Sequence, residues 1–325
     1  MVHWGFIGCG AVTEKKSGPA FSKVNGSDVV AVMRRDADRA KDFATRHNIG
    51  KWYNNAYKLI NDPEVTAIYV ATPPESHAEF AIASMKAGKP VYIEKPMAVS
   101  YKDCLKINRV SENTGVPCFV AYYRRTLPYF LRVKQLIDDG AIGDVTTVQI
   151  RFAIPPYVVD LNRDNLPWRV NKKLAGAGYF YDLASHQLDL LDFIFGPIEK
   201  VKGYSTNIAG LYDVEDTVTG VFKFQSGVLG SGSWSFVASK KTHVDVIDFI
   251  GTKGQLSCSA FKKSTPITLE TSEGVQKFRE DSPENIQFNL IQSIVDYLNG
   301  VGKMPISTGI SAARTNWVMD KILYS

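Results

Sequence analysis

The chain has 325 residues, with 38 Lys and Arg against 33 Asp and Glu, a formal net charge of +5, and 45% hydrophobic and 22% charged residues. That length has room for two domains and a sizeable core, and the composition is that of an ordinary soluble globular protein. The mild charge without a Lys/Arg block argues against a nucleic-acid or membrane-surface binder, and no run reaches the roughly 18 apolar residues of a membrane span.

Cys9, Cys104, Cys118 and Cys258 are scattered, with no C-x-x-C pair and no nearby histidine pairing. This speaks against a zinc site or a disulfide framework and for a reducing compartment; no metal-ligand cluster stands out. Met1-Val2-His3-Trp4-Gly5 enters a strand at once, which leaves no room for a signal peptide. A cytoplasmic protein is expected.

Residues 2–7 read as a short buried strand, followed directly by Gly8-Cys9-Gly10-Ala11-Val12-Thr13. A strand, then G-x-G-x-x, then a helix is the context in which a dinucleotide fingerprint gains meaning. Gly8 permits the tight turn, Gly10 lets the backbone approach a pyrophosphate, and Ala11 and Val12 open the helix beside it. Thr13 stands at the third small position. Gly18-Pro19 is expected to kink or split that helix.

The strand 29–33 ends in Arg34-Arg35-Asp36. In an NAD-binding unit a carboxylate near this strand end bonds the adenosine ribose 2′-hydroxyl, whereas an arginine suits a 2′-phosphate. Arg34, with Arg35 and Arg39 nearby, points to NADP(H) rather than NAD(H); a solvated basic corner is the plainer alternative. Asp36 is a good N-cap for a helix over 36–47.

A third strand over 67–70 ends in Ala71-Thr72-Pro73-Pro74-Glu75-Ser76-His77. Thr72-Pro73 makes a rigid loop that can lie along a cofactor; His77 either touches the ligand or caps and packs the following helix. The next apolar run stops abruptly at Glu94-Lys95-Pro96. Ligands of open α/β sheets sit beyond the carboxyl ends of the strands, so Lys95 is placed to meet an oxygen whose charge changes in a reaction. A solvated strand-end salt bridge is the bland alternative. With Ser100 opening another helix and a strand over 118–121, the βαβ alternation predicts a doubly wound parallel sheet.

From Pro128 the pattern changes to strands joined by hairpin chemistry such as Gln225-Ser226-Gly227, which predicts an α+β domain with a large open, mostly antiparallel sheet. The domains are expected at 1–123 and 124–325. Val221, Phe222, Phe224, Trp234 and Phe236 suggest apolar residues on both faces of that sheet. Trp168-Arg169 precedes a glycine-rich stretch and a helix in which Asp182, His186 and Asp189 fall at i, i+4 and i+7 on one face. Polar groups in so apolar a helix must be satisfied by a structural network or face a site.

In order along the chain, Gly8-Cys9-Gly10, Thr72-Pro73-Pro74 with His77, Glu94-Lys95-Pro96, Trp168-Arg169 and Asp182-x-x-x-His186 resemble the glucose–fructose oxidoreductase/inositol dehydrogenase family (Gfo/Idh/MocA), across essentially its whole length. The resemblance implies a Rossmann domain followed by a second domain whose open sheet mediates homodimers or homotetramers. It also implies hydride transfer between a nicotinamide and a small sugar, polyol or related carbonyl compound. Carried over, Lys95 positions the reacting oxygen, His186 is the acid/base partner and Asp182 a substrate-hydroxyl ligand. Glu94, Trp168 and Arg169 belong with the cofactor. Tyr123-Arg124-Arg125-Thr126 departs from the family's Asn-Arg-Arg-Phe pattern. An NAD-dependent polyol dehydrogenase, a non-catalytic nicotinamide-binding regulator and a redox-neutral sugar enzyme are the competing functions.

Overall fold

The computed structural model describes residues 1–262 and 264–324. They form two compact units, Met1–Tyr123 with Pro283–Ala313 and Arg124–Ser282 with Arg314–Ser325. Along the first stretch come β1 (Val2–Ile7), α1 (Ala11–Lys15), α2 (Gly18–Lys23), β2 (Ser27–Met33), α3 (Ala37–Arg46) and β3 (Lys51–Tyr53). Then follow α4 (Ala56–Ile60), β4 (Ala67–Val70), α5 (His77–Lys86), β5 (Val91–Ile93), α6 (Tyr101–Thr114) and β6 (Cys118–Val120). The strands pair in parallel in the order β3-β2-β1-β4-β5-β6. This is the doubly wound order, with its switch point between β1 and β4.

β4, β5 and β6 are buried along their whole length, as parallel strands covered on both faces must be, which is why they read as unbroken apolar runs. One side of the sheet packs Ile7, Leu59, Ile68, Val70 and Ile93. The other packs the aromatic set Trp4, Phe6, Phe21, Tyr69, Tyr92 and Phe119. The first helix is split as expected, α1 ending before Gly18-Pro19 opens α2. Asp36 and Ser100 cap α3 and α6 by accepting from Arg39 and Asp103 backbone N–H groups.

The second stretch contains α7 (Pro128–Asp138), β7 (Val145–Ala153), α8 (Lys172–Ala175), α9 (Ser185–Phe195), β8 (Ile198–Thr206), β9 (Thr217–Phe224) and β10 (Leu229–Ser235). After these come β11 (Val244–Gly251), β12 (Gly254–Cys258), β13 (Ile267–Thr271) and β14 (Gly274–Phe278). The sheet order is β14-β13-β12-β11-β7-β10-β9-β8, antiparallel throughout except that β7 and β10 run parallel. Period-two alternation puts Phe222, Phe224 and Trp234 on one buried face and leaves Val221, Leu229 and Tyr204 exposed. Apolar residues thus stand on both faces as expected, the aromatics of β9 and β10 on the buried one and Val221 on the exposed one.

The chain closes with α10 (Phe288–Leu298) and α11 (Gly309–Tyr324). Here the expected contiguous division at 124–325 is corrected, because Pro283–Ala313 returns to the first unit. Leu290, Ile291, Ile294 and Val295 form an apolar stripe on α10 that joins the aromatic side of the parallel sheet. Beyond it, Thr308 bridges Phe119 and the Val120 N–H donates to Ser307, which covers the β6 edge. Among the described residues no helix is long and apolar enough to cross a membrane.

Candidate active site

In the first unit β1 runs straight into the glycine turn. Gly8 has φ +105°, and a Cβ there would stand 2.8 Å from the Ala71 backbone, so glycine alone lets the turn close against the chain after β4. Around the Cβ position of Gly10 nothing lies within 4 Å, which leaves its backbone open to a ligand. Ala11 is exposed and Val12 half-buried. Thr13 is buried and donates its hydroxyl to the Gly10 carbonyl at 2.8 Å, so the third small position is filled by a side chain satisfied within the turn. Burial pushes the Cys9 thiol up to about 12, which makes it a packing group rather than a nucleophile.

An open pocket of ≈ 410 Å³ lies beside this turn, lined by Gly10, Ala11, Lys15, Arg34, Arg39 and Arg46 with Glu14 and Asp42. Arg34 donates Nη1 to the Cys9 carbonyl at 2.8 Å. Arg35 is exposed and does not line the pocket, so of the two arginines only Arg34 is brought to the turn. Arg46, which sequence reading passed over, grips both Glu14 oxygens at 2.6 and 3.0 Å and Asp42 at 2.9 Å.

The Arg46 guanidinium, helped by His47, holds the Glu14 carboxyl down at about 2 against its ordinary 4.5. A depressed carboxylate stabilises the fold fully above its unfolded value and loses that contribution as pH falls towards its folded value. Glu14→Gln is therefore expected to melt below the native chain at pH 7, with the gap closing between pH ~4.5 and ~2. Thermal unfolding at pH 7, 4 and 2 checks this; a gap independent of pH would contradict it.

Past β4, the loop at Thr72 and Pro73 is half-buried, and Ser76 Oγ reaches Thr72 Oγ1 at 2.7 Å. His77 is fully buried, its Nε2 2.8 Å from the Thr72 carbonyl and its Nδ1 3.0 Å from that of Pro96. Burial lowers its pKa. Of the two roles open to His77 the geometry fits packing: lying between the Thr72 and Pro96 carbonyls, with one N–H to donate as a neutral imidazole, it braces the chain after β4 to the chain after β5.

Glu94, just past β5, is buried, and Oε1 accepts from Tyr69 at 2.6 Å and from Gln287 at 2.7 Å. Its Oε2 accepts the Lys95 backbone N–H at 3.2 Å. Lys95 itself is half-buried at the strand end. Gln287 had no signal in the sequence, lying 193 positions away from Glu94.

The second unit corrects the reading of one helical face. Phe180–Ala184 is a π-helical turn that leads into α9. Its wider winding breaks the i, i+4, i+7 register assumed for an α-helix. Asp182 is half-buried and takes Arg169 Nε at 3.2 Å, while the Arg169 guanidinium lies 4.6 Å from the ring of the partly exposed Trp168. His186 is buried with its ring edge-on to Phe261 at 6.1 Å. Asp189 is fully buried and serves a structural network: Arg125 holds both its oxygens at 2.8 Å and reaches Asp192 at 3.0 Å.

Comparison with known proteins decides the family. A model described as the NAD-binding Rossmann fold of an oxidoreductase family matches residues 2–122, and one described as the GFO/IDH/MocA C-terminal domain matches 130–257. The chain belongs to the GFO/IDH/MocA oxidoreductase family. It is similar to Oxidoreductase P35 of Formosa agariphila, 35% identical over 98% of this chain and 97% of that protein. It is also similar to 1,5-anhydro-D-fructose reductase of Ensifer adhaerens, at 29% over 95% and 91%. A levoglucosan dehydrogenase solved with NADH and levoglucosan shares the fold, with a TM-score of 0.87 and 21% identity over 99% of this chain and 96% of that one.

As a GFO/IDH/MocA member the protein is an oxidoreductase of a family that binds NAD(P). The first unit suits such a cofactor on its own geometry. Gly10 leaves open the space a side chain would fill, beside a pocket lined by Lys15, Arg34, Arg39 and Arg46 with Glu14 and Asp42.

Proposed function

We propose that the protein is an NADP(H)-dependent oxidoreductase that interconverts the carbonyl and hydroxyl forms of a sugar, polyol or related small compound. The observation that carries the cofactor choice is the arginine at the end of β2. Arg34 stands at the pocket beside the glycine turn, where an NAD-binding unit has a carboxylate, and Arg39 and Lys15 line the same pocket. The name of the Ensifer relative, a 1,5-anhydro-D-fructose reductase, favours a sugar-like substrate.

A bound nicotinamide would supply the hydride chemistry at the substrate carbon. The chain's own part is to hold that substrate and move the proton. Lys95 stabilises the substrate oxygen as negative charge develops on it during reduction. His186 is the acid/base group, giving a proton in reduction and taking one in oxidation, as the family resemblance implies. Asp182, oriented by Arg169, binds a neighbouring hydroxyl. Thr72 and Pro73 of the first unit would lie along the cofactor. The exposed apolar side chains Val221, Leu229 and Tyr204 favour a homodimer or homotetramer formed through the second unit's sheet.

Titrating cofactor-free protein with NADPH and NADH tests the choice. NADPH is expected to bind at least tenfold tighter, about 1.4 kcal/mol, and Arg34→Ala to remove the difference. Equal or tighter NADH binding would favour the NAD reading instead. That reading has its own support, since Arg34 already serves the Cys9 carbonyl and Arg46 is neutralised by Glu14 and Asp42.

A further inference from the structure

Glu94 is a buried carboxylate fed by neutral donors from three directions. Tyr69 gives its hydroxyl to Oε1 at 2.6 Å, Gln287 its amide N–H₂ to the same oxygen at 2.7 Å, and the Lys95 backbone N–H meets Oε2 at 3.2 Å. The orientation of the Gln287 amide is dictated by its partners. A carboxylate only accepts, so Nε2 must face Glu94, and Oε1 is then left to accept from Tyr92 at 2.7 Å. The Tyr69 and Tyr92 rings stack at 5.3 Å, and burial together with the Glu94 charge keeps both phenols protonated far above their usual range. Both hydroxyls can therefore act as fixed donors. From Tyr69 the network continues at 2.7 Å to Ser17, the residue just before α2, close to the glycine turn.

Every donor on Oε1 belongs to the buried side of the sheet or to α10's N-terminal approach, so Oε1 is used up by the fold. Oε2 accepts the backbone N–H of the next residue, and a carboxylate oxygen has a second lone pair. Glu94 follows β5, which lies in the half of the sheet beyond the β1–β4 switch point; the adenosine half is β1 to β3. Resting on the reading that Glu94 contacts the cofactor, we propose that Gln287 is a positioning residue for the nicotinamide end. Its amide locks Oε1 so that Oε2 is presented to a hydroxyl of the nicotinamide ribose.

Gln287→Met keeps the volume and removes both amide bonds. It is expected to weaken NADPH and NADH binding about tenfold, the scale of a hydrogen bond to a charged group, while adenosine 2′,5′-bisphosphate and ADP, which lack the nicotinamide riboside, bind within about twofold of the native chain. Tyr92→Phe removes only the brace on Gln287 and is expected to show a smaller loss with the same selectivity. Adding it to Gln287→Met should cost nothing further, because the two act in series. Unchanged dinucleotide binding in Gln287→Met overturns the proposal. So does an equal loss for dinucleotide and fragment, the mark of a merely structural residue. If Gln287→Met fails to fold, the same comparison in Tyr92→Phe decides. Glu94→Gln separates the two levels: if it leaves the dinucleotide-to-fragment ratio unchanged, the assignment of Glu94 to the cofactor is what fails.

Discussion

Lys95→Ala is expected to bind dinucleotide like the native chain yet lose at least ~10²-fold in turnover, the usual scale of acid–base help from a positioned side chain. The argument starts from place. β5 is a short, fully buried parallel strand, and the residues just past its carboxyl end are the first that can reach a ligand beyond the sheet. Glu94 is held by the fold, and Lys95 follows it half-buried. Lys95→Arg sharpens the result. A guanidinium retains the positive charge but does not release a proton, so it restores turnover in part if the lysine acts by charge and not at all if it carries the proton. Steady-state rates with a panel of ketoses and dicarbonyls, alongside a dinucleotide titration, give both readouts. Turnover within a few-fold of native in Lys95→Ala would remove the catalytic assignment and favour a binding role for the whole strand end.

Arg125→Ala is expected to be the most damaging single change to the second unit's stability. Arg125 is 4% exposed and forks onto Asp189 through Nε and Nη2, both at 2.8 Å, with Asp192 at 3.0 Å. Burial works against its charge, and the two carboxylates outweigh that, so it stays cationic. Removing it strands Asp189 in the interior with Thr315 at 3.4 Å, while Asp192 retains Arg314 at 2.7 Å. Breaking a buried pair in this way costs roughly 3–5 kcal/mol. For a unit of this size that is a fall in melting temperature on the order of 10 °C. Arg125→Lys should recover only part, because an ammonium cannot reproduce the fork. Calorimetry is the check, and a melting temperature within about a degree of native would show that Asp189 is satisfied without Arg125, which overturns the stability assignment.

The features legible in the sequence are those written in local order. A parallel strand buried on both faces must be an apolar run, so β1, β4, β5 and β6 announced themselves. The glycine turn follows β1 at a position where φ > 0 and close approach admit no side chain, and caps such as Asp36 and Ser100 act within three residues. The hairpins of the second unit have turn residues between alternating strands. Lys95 and Arg34 could be singled out because a strand end is itself a place.

What the sequence left undecided depends on partners far along the chain. Asp189 looked like a companion of Asp182 and His186 until a π turn shifted the register and Arg125, 64 residues earlier, claimed it. His77 left ligand contact and packing both open until its ring was found between carbonyls of two separate loops. Gln287 carries no motif at all, and its importance exists only because α10 packs back on the aromatic side of the first sheet. Periodicity encodes which face of an element is buried, since that depends on the element's own geometry. Which polar group meets which across that buried face is set by how elements pack, and there satisfaction of every desolvated donor and acceptor selects the pairs.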